Sequence, residues 1–117
     1  MKTINGTKMF GYFEGLDYGR PPKPELYNEK LDDYKQFKNT ISKEAIIEHM
    51  MKQEIGIAPT KTRAKDIYTN KRINKGYIGI IIDGEYQCPL DFIHYLKNYD
   101  IGIPYEYEEY LKQQGVK

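Results

Sequence analysis

Cysteine, histidine and arginine are scarce in this chain, and long apolar runs are absent. A single cysteine, Cys88, excludes an intrachain disulfide and fits a reducing compartment. The two histidines, His49 and His94, stand far apart in sequence with no second ligand at metal spacing, so neither a metal nor a cofactor is expected. Nothing local joins Cys88 to His94 as nucleophile and base. A small packed thiol is the expectation, and the chain does not read as an enzyme. Arginine is confined to Arg20, Arg63 and Arg72, whereas Lys, Ile, Asn and Tyr are plentiful, a bias that AT-rich coding sequence produces. The longest apolar run, Ile78 to Ile82, is far too short to cross a bilayer, and the chain opens at Met1-Lys2 without an apolar leader. A soluble cytoplasmic protein without membrane contact is therefore expected. At 117 residues it reads as one domain with a modest core.

Acids are scarce in one place only. Between Lys61 and Lys75 stand six basic residues (Lys61, Arg63, Lys65, Lys71, Arg72, Lys75) and one acid, Asp66, so this segment carries +5. The remainder, with 12 basic and 16 acidic residues, carries −4, and the total is +1. A local cationic site on a negative body suits a directed contact with a polyanion.

Residues 1–24 read as an N-terminal arm. Its Gly- and aromatic-rich part, Thr7 to Gly15, predicts a short strand or a strand and turn, with Phe10 and Phe13 packed on the core. The spacing of Gly11, Gly15 and Gly19 matches no phosphate loop or dinucleotide fingerprint. Pro21, Pro22 and Pro24 make an extended connector. Leu26, Tyr27, Leu31 and Tyr34 recur at helical intervals and predict a helix within 25–40.

The organising stretch is 41–99. Ser42 caps a helix that carries Ile46, Ile47, Met50 and Met51 and ends at Gly56. Pro59 and Thr60 open a second helix, with Ala64, Ile67, Tyr68 and Lys71 on one face. Tyr77 to Ile82 and Glu85 to Cys88 form a hairpin about Asp83-Gly84. Pro89 leads into a helix with Leu90, Phe92, Ile93 and Leu96 on its apolar side. Residues 100–117 hold an acidic terminal helix. Two helices, a short turn and a ribbon are the parts of a winged helix-turn-helix. The expected fold is α+β: a winged helix with a short N-terminal strand and extra flanking helices.

The pair Gly56-Ile57, the run Thr62-Arg63-Ala64 and the step Lys75-Gly76-Tyr77-Ile78 resemble the winged-helix segment of type IA DNA topoisomerases, over roughly 41–96. That family places a Gly-Ile turn with Pro, Thr and often Arg-Ala between its helices and closes its ribbon at a proline, as Pro89 does here. The Pro and Thr of the turn depart from the family's order, and the second helix is about two residues longer, within loop variation. The family's acidic metal-binding domain and nucleophilic tyrosine motif have no counterpart. The resemblance implies a nucleic-acid-facing role for the turn and second helix, at Thr62 and Arg63.

The function expected is non-enzymatic binding of double-stranded DNA by a small regulator or accessory factor. The start of the basic helix, Lys61, Thr62 and Arg63, would hold a phosphate. Arg63, Lys65, Thr69 and Asn70 would reach base edges, and Lys71, Arg72 and Lys75 the flanking backbone. Dimerisation would suit paired half-sites. The bland reading of these residues is a solvated lysine-rich face. A reading from another class is a phage- or mobile-element-encoded inhibitor or adaptor that binds a host protein such as a defence nuclease. It would use an acidic, tyrosine-rich surface: Tyr105, Glu106, Tyr107, Glu108, Glu109 and Tyr110.

Overall fold

The computed structural model describes residues 1–16, 27–59, 65–73 and 77–117. Its centre is a five-stranded mixed sheet in an α+β domain. In chain order the elements are β1 (Lys2–Ile4), β2 (Thr7–Met9), a 3₁₀ helix (Leu31–Gln36), α1 (Lys43–Met51), β3 (Glu54–Pro59), β4 (Tyr77–Asp83), β5 (Tyr86–Pro89), α2 (Phe92–Asn98) and α3 (Tyr105–Gln113). The spatial order is β1-β2-β5-β4-β3. Only the β2–β5 pair is parallel; the other three pairs are antiparallel.

The expected N-terminal strand is a hairpin, because Asn5 (φ 51°) and Gly6 (φ 82°) turn the chain back between β1 and β2. The ribbon about Asp83-Gly84 is present, with Asp83 paired to Tyr86 and Gly84 at φ 61°. The Ser42 cap is present as well: its hydroxyl accepts a hydrogen bond from Ala45 N–H at 3.2 Å.

Three expectations are corrected. The first helix ends at Met51, capped by Lys52, and does not run to Gly56. Gly56 and Pro59 belong to β3, not to a turn between helices. The alternation of Ile55 and Ile57 is a strand signal, and pairing of Ile55 with Ile81 and Gly56 with Ile80 satisfies it. The helix expected within 25–40 shrinks to one 3₁₀ segment. Beyond it the chain is held extended: Phe37 packs edge-on against both Tyr34 and Tyr105, and Thr40 and Ile41 donate their N–H groups to the Glu108 carboxylate. The proline connector, 21–24, lies outside the described residues.

The helices cover the sheet face that carries Ile81 and Asp83 of β4 and Tyr86 and Cys88 of β5, all buried. Phe10, Phe13, Tyr34, Phe92 and Tyr95 form an aromatic centre under α2, with Phe13–Tyr34 and Phe10–Phe92 edge-to-face. Cys88 is the packed thiol expected, and burial pushes its titration up. Gly11 is needed at its place. At φ +78°, a Cβ there would come within 2.6 Å of Phe92 Cδ1. Gly11→Ala should lower the stability measured by urea unfolding by about 2–4 kcal/mol, from left-handed strain plus the clash with Phe92.

Candidate functional site

β3 and β4 are antiparallel neighbours whose last pair is Pro59 with Tyr77, so the connection 60–76 leaves and re-enters the sheet at one end. This connection holds the basic segment. Where the sequence predicts a second helix, the described residues 65–73 form a bridged turn: Lys65 pairs with Arg72, and the chain reverses over 67–69. Asp66 N–H donates to Lys71 O at 2.7 Å, and Asn70 N–H to Asp66 O at 2.8 Å. Asn70 takes φ 61°, which Asn tolerates and a helix does not.

The reason is Asp66. Its Oδ1 accepts the N–H groups of Tyr68 at 2.8 Å and Thr69 at 3.0 Å, the local bonding by which aspartate makes turns in place of helices. The same carboxylate accepts the Tyr99 hydroxyl at 2.8 Å and His94 Nε2 at 2.6 Å. Ile67 N–H donates to Tyr95 Oη at 3.1 Å. The basic turn is thereby fastened to α2 and to the residue that follows it. Asp66 is only 4% exposed. Burial works to raise its pKa, but the hydrogen bonds from His94, Tyr99, Thr69 and Tyr68 outweigh that and hold it at about 2, below the ordinary 3.8. Burial and the bond to Asp66 push Tyr99 up to about 12.

With Asp66 turned inward, the outer surface of the turn is cationic. Lys65, Lys71 and Arg72 are exposed, as are Thr69 and Asn70, and no carboxylate pairs with the three cations among the described residues. Lys61, Thr62, Arg63 and Lys75 lie outside the described residues. Tyr68, expected on the inner helical face, is instead 45% exposed, with its ring beside Tyr99 and under the Lys35 ammonium. Its hydroxyl donates to Asp32.

The six residues of the acidic surface are dispersed by the fold. Tyr107 is buried and donates to Asp83 at 2.7 Å, and Tyr110 donates to Asp83 at 3.2 Å. Glu108 is buried beneath Thr40 and Ile41, and Glu106 is paired with Lys8. Tyr105 donates to Gln36 O, and Tyr105, Glu106 and Glu109 remain exposed. A period of 3.6 explains this: α3 buries one side, and the run Tyr105–Tyr110 goes round the whole helix.

Neither a family model, nor a curated protein, nor a solved structure matches this chain. The site therefore stands on its own geometry. No group of three or more metal-ligating side chains is found among the described residues, and no described helix is long and apolar enough to cross a membrane. The sequence offers His94 no partner, and it does not mark Tyr95 or Tyr99 as site residues. Their signal there is only an i, i+1, i+5 cluster beside a helix end, which is also what ordinary packing looks like.

The depressed titration of Asp66 fixes the sign of a pH effect. Its stabilisation is present above the unfolded value near 3.8 and is lost as pH falls through about 2, a loss of about 2 kcal/mol. Amide exchange at Asp66 and Asn70, both bonded within the turn, should accelerate over that interval relative to β4. Asp66→Asn should show the faster exchange at neutral pH already.

Proposed function

We propose that this protein binds double-stranded DNA, without catalysis, through the basic connection between β3 and β4, as a small regulator or accessory factor. The observation that carries the reading is the withdrawal of Asp66. The one acid of the segment is buried and bonded, and what remains outside on the described turn is Lys65, Lys71 and Arg72. A cationic face on a chain whose remainder carries −4 is drawn to a polyanion at one place and repelled elsewhere.

The contact differs in kind from a recognition helix. A bridged turn with its cations on the outer face can approach the major groove, which β-ribbon readers also use. Lysine and arginine on it would neutralise phosphates and set the register, while Thr69 and Asn70 at its tip offer hydrogen bonds to base edges. The winged-helix reading keeps two parts in this proposal, the Ser42-capped helix and the β4–β5 hairpin as its wing. The DNA contact moves to the connection that precedes the wing, where Thr62 and Arg63, the positions suggested by the topoisomerase resemblance, also belong. The other reading, an inhibitor or adaptor that binds a host protein, would use the part of the α3 surface that stays exposed, Tyr105, Glu106 and Glu109.

Fluorescence anisotropy with mixed-sequence duplex, over a salt series, tests the proposal. Neutralising about four to six phosphates predicts a log K against log salt slope of about −4 to −5. Arg63→Ala with Arg72→Ala should leave the fold intact and make the slope about two shallower. Absence of binding at low salt would overturn the proposal. Unchanged affinity in the double variant would take these two arginines out of the contact.

A further inference from the structure

Beside the basic turn lies a cavity of about 200 Å³, lined by Glu14, Lys30, Leu31, Asp32, Ile67 and Tyr68. Its size is below the roughly 300 Å³ at which sites for drug-sized ligands begin, so a single planar ring system is what it would hold. Its chemistry is sorted. Leu31, Ile67 and the Tyr68 ring give apolar and aromatic walls. Glu14 and Lys30 bring a carboxylate and an ammonium, and neither side chain has a partner among the described residues. Asp32 adds a second carboxylate, anchored by the Tyr68 hydroxyl and by Lys35 at 3.1 Å.

Glu14 and Asp32 set two carboxylates among apolar and aromatic walls, beside the Lys30 ammonium, so the cavity differs in kind from the cationic turn. Carboxylates accept hydrogen bonds, and the groups on a nucleic acid that donate are the ring N–H and amino groups of its bases. We infer that this cavity takes one unpaired, amino-bearing nucleobase, guanine foremost, from a DNA held by the neighbouring basic turn. Guanine presents N1–H and N2–H₂ side by side, a match for one carboxylate, and only when it is out of its pair. Thymine has a single such donor and a methyl group. Lys30, also in the lining, supplies an ammonium that can donate to guanine O6. The inference rests on the DNA reading for its biological ligand, but the cavity can be tested without it.

Two measurements do so. In the first, the protein is titrated with deoxyguanosine monophosphate and, separately, thymidine monophosphate, following the NMR signals of Ile67 and Tyr68. Saturable shifts with the guanine nucleotide, absent with the thymine one and lost in Glu14→Gln, are expected. Glu14 is exposed, so this variant keeps the fold. Equal responses to both nucleotides, or none, would overturn the assignment, whatever duplex binding shows. In the second, a duplex with a single bulged guanine should bind about tenfold tighter than the same duplex fully paired, a preference that Glu14→Gln removes while leaving the paired affinity in place. Equal affinity for bulged and paired duplex would overturn the inference and leave the DNA reading standing. Failure of both duplexes to bind, with the mononucleotide response intact, would remove the DNA reading and leave a nucleobase site.

Discussion

A buried anion must be bonded on every side, and Asp66 meets that requirement by drawing its own turn and the end of α2 together. Its carboxylate accepts from His94 on α2, from Tyr99 just beyond α2 and from two amides of its own turn. Tyr99 in turn receives the Lys43 ammonium on its carbonyl, so α1 is tied into the same joint. An unpaired carboxylate at this depth would cost several kcal/mol. The turn therefore has one arrangement in which all donors are used, and in that arrangement its cations face outward. The proposed function inherits its geometry from this one requirement.

A second joint repeats the chemistry. Asp83, at the end of β4, is buried and accepts from His49 of α1 and from Tyr107 and Tyr110 of α3. A third phenol, Tyr34, donates to Glu29 while accepting from Gly11 N–H. Tyr34, Tyr99, Tyr107 and Tyr110 thus have a structural use beyond bulk. A phenol fills a core with its ring and carries one donor to a buried acid, which phenylalanine cannot do. In a chain with many lysines and few arginines, tyrosine takes over much of the pairing of inward-facing carboxylates.

What was legible in the sequence followed from local rules. The Ser42 cap, the Asp83-Gly84 hairpin, the strand over 77–82 and the terminal helix each depend on neighbours in sequence, and each is present. The second helix is a false signal, because Ala64, Ile67, Tyr68 and Lys71 have helical spacing. What decides that stretch is instead one side chain, Asp66, whose partners His94 and Tyr99 lie far along the chain. β3 was misread because Gly56 and Pro59 look like punctuation, although Ile55 and Ile57 alternate between them; long-range pairing with β4 settled the matter. At the candidate site, the cationic character of 61–75 was plain from composition. The inward turn of its only acid, and the cavity beneath it, required the fold.

The most direct test of the account is to record amide chemical shifts while a mixed-sequence duplex is titrated into the protein. The largest changes are expected at Lys65 to Arg72, with α3 and the β1–β2 hairpin unmoved. Binding that shifts α3 or the sheet edge and spares Lys65 to Arg72 would contradict it, since the surface freed by Asp66 would then be solvated and nothing more.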